Sequence, residues 1–73
     1  MRRDPHEERR HAATSLARAD ELVANQERRI ELLRASGRDP TIARAMLRVL
    51  QQTREVMQKN LEAVEAEITA KPE

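Results

Sequence analysis

The chain has 73 residues, no cysteine and no aromatic residue, and carries 14 basic against 13 acidic side chains. A chain this short without disulfides usually needs a metal or a partner chain to be stable. Its net charge is close to zero, unlike the strongly basic charge of a typical nucleic-acid-binding module. No apolar run approaches the length that crosses a bilayer. We therefore expect a small cytoplasmic protein that makes no contact with a membrane.

Two Asp-Pro pairs and one glycine divide the chain into two helices. Asp4 precedes Pro5, and Asp39 precedes Pro40. Asp is a favourable N-cap and Pro suits the first helical position, whereas Gly37, the only glycine, is the residue type that commonly follows a helix C-terminus. The pattern predicts an all-α fold, an antiparallel two-helix hairpin. Its expected bounds are a single domain over 1–73, helix 1 at about 5–36, a turn at 37–39 and helix 2 at about 40–70.

Apolar residues on helix 1 recur at alternating spacings of four and three residues, as in the seam of a coiled coil. One polar residue, Gln26, occupies a position in this series. Buried polar residues in bundles often fix the register of the helices, and we expect Gln26 to pair with Asn60 of helix 2. The helix-1 stripe consists of Ala12, Leu16, Ala19, Val23, Gln26, Ile30 and Leu33.

Helix 2 carries two apolar stripes that lie side by side. At about 100° per residue they together cover more than half of the helix circumference, which is more than one neighbouring helix can cover. The main stripe consists of Ala43, Leu47, Leu50, Met57, Leu61, Val64 and Ile68, interrupted by Arg54. The second stripe consists of Ile42, Met46, Val49 and Val56, with the polar residue Thr53 between them and the polar residue Asn60 after them at the same spacing.

A lone hairpin would leave one of these stripes in water. Ordering a residue costs on the order of 1.5 kcal/mol before any burial offsets it. Pairing two hairpins removes the exposed strip and produces a four-helix bundle, a common arrangement of antiparallel helices with short loops. We therefore predict a homodimer. Its expected interface residues are Ile42, Met46, Val49, Leu50, Thr53, Val56, Met57 and Asn60.

Charge is unevenly distributed although the total is near neutral. The segment from Arg28 to Arg54 contains seven Arg residues and only two acidic residues, Glu31 and Asp39. Acidic residues outnumber basic ones after Arg54. The turn end of the hairpin is therefore expected to be basic, which is typical of a site for an acidic partner or a nucleic-acid backbone, and equally of a solvated surface. The candidate partner-binding residues, called the Arg cluster below, are Arg28, Arg29, Arg34, Arg38, Arg44 and Arg48.

The sequence shows no pattern that indicates catalysis or metal binding. His6 and His11 are the only histidines, and their spacing of five residues places them about 140° apart on a helix. Metal sites normally take ligands three or four residues apart that converge on one point. No nucleophile stands beside a base, and no Gly-rich phosphate loop is present. We expect a non-enzymatic protein that needs no cofactor and no metal.

The middle of the chain resembles a pattern in short helical-hairpin proteins of proteobacteria that have no assigned activity. In that pattern a QxxxIxxL segment, here Gln26 to Leu33, precedes a Gly-x-Asp turn, here Gly37 to Asp39, and an amphipathic second helix. The resemblance implies the hairpin fold and implies no activity.

The leading hypothesis is a homodimeric helical bundle that acts as an adaptor and docks on a protein partner. One alternative is a small nucleic-acid-binding dimer that uses the Arg cluster. A further alternative is a structural subunit of a larger assembly.

Overall fold

The computed structural model describes residues 4–70, which form two helices joined by a short turn. Helix α1 spans Pro5–Ala35 and helix α2 spans Thr41–Ala70. The two helices pack against each other, and no strand occurs within residues 4–70. The predicted all-α fold of two packed helices is confirmed. The helix ends nearest the turn, at Ala35 and Thr41, each lie one residue from the expected positions.

The start of α1 is capped by Asp4. Its Oδ1 accepts hydrogen bonds from the backbone N–H of His6 at 3.0 Å and of Glu7 at 3.4 Å. These are two of the donors that the first turn of a helix leaves without an intrahelical partner. Glu7 and Glu8 add negative charge at the positive end of the helix dipole. The sequence-predicted cap at Asp4 therefore forms, and its acceptor is the side chain.

The end of α1 is a Schellman turn around Gly37. The Arg38 N–H donates to the Leu33 carbonyl at 2.8 Å, and the Gly37 N–H donates to the Arg34 carbonyl at 3.1 Å. Gly37 has a φ of +74°, the left-handed conformation in which a side chain is strained. This geometry reverses the chain within five residues and brings α2 back along α1.

The start of α2 differs in detail from the expectation. Asp39 Oδ1 accepts from the Thr41 backbone N–H at 3.0 Å and from the Thr41 hydroxyl at 2.6 Å. The Pro40 carbonyl accepts the first helical bond, from the Arg44 N–H at 2.8 Å. The helix therefore begins at Thr41, one residue later than expected, while Asp39 accepts from the backbone N–H two residues on, as Asp4 does in α1. The bonds from Thr41, with the nearby Arg44 charge, lower the pKa of Asp39 below its ordinary value.

The contact between the helices is a thin seam. Within residues 4–70 the buried side chains are Ala19, Gln26, Ile30 and Ala43, and no large side chain is fully buried. Gln26 Nε2 donates to the Ala43 carbonyl at 2.9 Å. The predicted pairing of Gln26 with Asn60 is wrong, since antiparallel packing sets Gln26 opposite the first turn of α2. Asn60 lies 17 residues further along α2, about 25 Å away, and is exposed.

The hairpin is an elongated layer, one helix thick. It measures 59 × 21 × 14 Å along its principal axes, and its radius of gyration of 16.8 Å exceeds the value of about 11 Å expected for a compact domain of this length. Each helix therefore has one neighbour within the chain. Any apolar surface that does not face that neighbour stays in contact with water.

Candidate self-association surface

One side of the hairpin is lined by ion pairs between the helices. Arg54 of α2 contacts Asp20 of α1, and Arg9 Nη1 of α1 lies 3.9 Å from Glu65 Oε2 of α2. Asp20 follows the stripe residue Ala19 by one position, and Glu65 likewise follows a main-stripe residue by one. Because antiparallel helices turn in opposite directions, positions that follow the seam on both helices face the same side. That side of the hairpin is polar, and the two ion pairs join α1 to α2 along it.

The second stripe lies on the opposite side. Each of its members precedes a main-stripe residue by one position, which places it about 100° from the seam in the other direction. Ile42 is 78% exposed and Val49 is 60% exposed, and Met46 and Val56 are each more than half exposed. Four apolar side chains thus follow one another along α2 without covering from α1.

The stripe has heptad spacing over 42–60, with steps of four and three residues throughout. Such spacing keeps a seam on one face of a helix and is the pattern by which helices pack side by side. At its start the stripe forms a shallow apolar groove of about 290 Å³. The lining residues are Ile42, Ala45, Met46, Val49 and Leu50.

The polar members of the second stripe are both exposed. The Thr53 hydroxyl donates to the Val49 carbonyl at 3.1 Å, so it has a partner within its own helix. The remaining predicted interface residues, Leu50 and Met57, belong to the main stripe and are half-buried. They therefore lie at the border between the intramolecular seam and the second stripe.

A second apolar feature, outside both stripes, lies on α1 near the turn. Leu32 is 70% exposed there and borders an open groove of about 860 Å³. Glu27, Arg28 and Glu31 also line this groove, so it is of mixed charge. The sequence interpretation missed it because Leu32 lies one position before the helix-1 stripe, among residues that are mostly polar.

The structure places the Arg cluster around the turn with every member exposed. Arg28 contacts Asn25, and Arg34 Nη1 lies 3.9 Å from Glu31 Oε1. The positive charge of Arg44 also helps to lower the pKa of Asp39. The cluster is therefore spread over the ends of two helices and interleaved with acids, rather than gathered into one pocket.

Residues 4–70 contain no group of three His, Cys, Asp or Glu residues that could hold a metal ion. Neither helix in that range has an apolar stretch that could cross a membrane. Comparison with protein-family models, with curated proteins and with solved structures gives no significant match. The resemblance to short proteobacterial helical hairpins therefore stays a prediction, and the site must be interpreted from its own geometry.

Proposed function

We propose that this chain is a non-enzymatic interaction protein, a cytoplasmic homodimer in which two hairpins pair through the second stripe into a four-helix bundle. The observation that carries the proposal is the difference between the two sides of the hairpin. One side is closed by the Asp20–Arg54 and Arg9–Glu65 contacts, and the other presents the four exposed apolar side chains of the second stripe, interrupted only by Thr53.

The size of the stripe supports association. Full burial of a Val, Ile or Met side chain contributes about 1.5–3 kcal/mol, and each copy offers four such side chains that are more than half exposed. Joining two molecules costs an estimated 4–15 kcal/mol. The two quantities are of similar size, so dimerisation depends on most of the stripe and one charge placed within it is expected to prevent pairing.

A matched pair of variants on α2 tests the dimer. Val49→Glu places a negative charge in the second stripe, whereas Gln51→Glu adds the same charge at an exposed position on the polar side of the same helix. The melting temperature of wild type and Gln51→Glu should rise with protein concentration, because mass action favours a dimer. Val49→Glu should melt lower and without concentration dependence. Equal concentration dependence in both variants would contradict the proposal.

The proposed role of the bundle is to dock on an acidic protein through the Arg cluster. Guanidinium groups pair with carboxylates in a bidentate geometry, and all six arginines are exposed. A labelled glutamate-rich peptide is the probe, with binding followed by fluorescence anisotropy. Arg34→Gln with Arg38→Gln should weaken binding, while Arg18→Gln, an exposed position remote from the turn, should not. Because Arg18→Gln removes one charge and the double variant removes two, a loss in Arg18→Gln half as large as that in the double variant would show that binding depends on net charge alone.

A second candidate function uses the same residues on nucleic acid. It is favoured by the exposure of all six arginines at one end of the hairpin. Binding to labelled double-stranded RNA should then fall steeply with salt, and each neutralised arginine that touches a phosphate should reduce the slope by about one. Unchanged mobility of the RNA at low salt would rule this candidate out.

A further inference from the structure

We infer that, in the homodimer proposed above, α2 packs against α2 of the second copy in an antiparallel orientation, with Ile42 opposite Asn60 of the second copy. This inference rests on the proposed function and adds the orientation and register of the two copies. The second stripe of one copy therefore packs against the second stripe of the other copy, with the two α2 helices running in opposite directions.

The first step is that α1 offers no matching surface. On the side of the hairpin where the second stripe lies, the positions that precede the helix-1 stripe are mostly polar. An α2 helix laid against them would meet two apolar side chains ten residues apart, Leu22 and Leu32, among imidazole, hydroxyl, amide and guanidinium groups. The positions are His11, Ser15, Arg18, Leu22, Asn25, Arg29 and Leu32. The surface that matches the second stripe is therefore another second stripe.

The second step is the charge of α2, which is separated along its length. Residues 41–54 contain three Arg and no acid, whereas residues 55–70 contain four Glu and one Lys. A parallel α2 pair would place like charge against like charge at both ends. An antiparallel pair places the basic half of each copy against the acidic half of the other, which is the complementary arrangement.

This separation is matched only in part within the chain, where Arg54 and Glu65 pair with Asp20 and Arg9 of α1. Residues 5–20 and 21–35 of α1 each carry equal numbers of acidic and basic groups, so α1 has no charge gradient to oppose that of α2. The separation also runs against the preference of the helix dipole, since the first turn of α2 has no acid and its last turn has no base. A second antiparallel α2 supplies opposite charge beyond these two ion pairs with α1.

The third step is register. Antiparallel helices pack the first core position of one heptad against the second core position of the other. The only such register that uses the whole stripe sets Ile42 opposite Asn60, Met46 opposite Val56 and Val49 opposite Thr53 of the second copy. A shift by one heptad in either direction leaves part of the stripe facing the turn or the part of α2 that follows Asn60.

This register also aligns charges beside the stripe. Arg48 and Glu55 each stand one position before a second-stripe residue. In the antiparallel register, Arg48 of one copy lies within one residue of the level of Glu55 of the other. The pair occurs twice by symmetry, once on each half of the interface.

Cysteine pairing tests orientation and register, because the natural chain contains no cysteine. Ile42→Cys and Asn60→Cys are made in separate full-length chains, one carrying a mass tag, and are oxidised alone and as a mixture. A disulfide requires Cα atoms within roughly 4.4–6.8 Å. In the antiparallel register identical positions are 18 residues apart along the pair, about 27 Å, so disulfides should form in the mixture between unlike chains and not in either variant alone.

The outcomes separate this inference from the proposed dimer. Disulfides within each single variant, and not between them, would show a parallel pair and overturn the inference. A dimer by sedimentation that forms neither product would also overturn it and leave the homodimer standing. A monomer at all concentrations would overturn both. Met46→Cys with Val56→Cys is the second pair, for use if either first variant loses its helical circular dichroism.

The salt dependence of the dissociation constant tests the orientation of the two helices independently, with the unmodified chain. An antiparallel α2 pair is held in part by attraction between unlike ends, so its dissociation constant should rise several-fold between about 0.01 M and 0.15 M NaCl, where the Debye length falls from about 30 to 8 Å. In a parallel pair the like ends repel, and added salt would tighten the dimer. Tightening over this range would contradict the antiparallel orientation.

Discussion

The amide of Gln26 on α1 donates a hydrogen bond of 2.9 Å to the carbonyl of Ala43 on α2, and both residues are buried. Gln26 is the one buried polar side chain within residues 4–70. The bond joins the last third of α1 to the first turn of α2, close to the turn. It therefore sets how far α2 is displaced along α1, and with it the position of the second stripe.

Replacing Gln26 tests this bond. Gln26→Met keeps the length of the side chain and removes the donor, and should lower the free energy of unfolding by about 0.5–1.5 kcal/mol. Gln26→Ala also removes packing atoms and should cost more. Urea denaturation measures both, with the exposed Gln51→Ala as the control expected to stay within about 0.5 kcal/mol of wild type. A loss in Gln51→Ala equal to that in Gln26→Met would argue against a special role for the buried amide.

The Arg54–Asp20 contact can be measured by a double-mutant cycle. Arg54→Met and Asp20→Asn, alone and together, should give a coupling energy of about 0.5–1 kcal/mol, since both side chains are partly exposed and solvent weakens the pair. The Arg9–Glu65 pair, at 3.9 Å and half-exposed, should couple more weakly. The reverse order of the two couplings would show that the contact nearer the helix ends holds the polar side together.

Gly37 tests the geometry of the turn. Its φ is +74°, and an added Cβ would meet no heavy atom within 4 Å, so the cost of a side chain there is conformational alone. Gly37→Ala should destabilise the fold by about 1–2 kcal/mol, and Gly37→Asn by less because Asn tolerates this conformation. Thermal unfolding followed by circular dichroism gives the comparison. Equal losses in both variants would point to a cause other than φ.

The lowered pKa of Asp39 predicts how acid acts on the start of α2. A carboxylate whose pKa is lower in the folded state stabilises the fold above its unfolded pKa, and this contribution is lost as pH falls through the folded value. Asp39→Asn keeps an acceptor without the charge. Its melting temperature should fall less than that of wild type between neutral pH and pH values below 3.8, the ordinary value for Asp.

The control for this measurement is Glu21→Gln, which removes an exposed carboxylate in the middle of α1. It reports what the loss of one surface charge does to the acid sensitivity of the whole chain. If Glu21→Gln and Asp39→Asn change the pH dependence equally, the bonds from Thr41 do not couple protonation of Asp39 to folding.

The helices and their stripes are predictable from the sequence because capping residues and heptad spacing are local signals. Asp4, Gly37 and the alternation of four and three residues each specify geometry within a turn or two. The partner of Gln26 was not predictable in the same way. It depends on the relative displacement of the two helices, which the turn geometry sets, and the sequence offered Asn60 as an equally polar candidate.

The candidate site shows the same limit. The second stripe is visible in the sequence, but its position on the side opposite the Asp20–Arg54 contact follows only from the packed pair of helices. Leu32 was also missed, since a single exposed apolar residue beside the helix-1 stripe is ordinary on a helix surface. The spread of the Arg cluster over both helix ends likewise required the fold.

Sedimentation of the purified wild-type chain across a range of concentrations tests the central claim most directly. The account predicts a species of twice the 8.4 kDa chain mass that dissociates on dilution, with helicity falling as the dimer is lost. A species of 8.4 kDa that keeps full helicity at every concentration would contradict it, because the hairpin would then be stable with the second stripe in water.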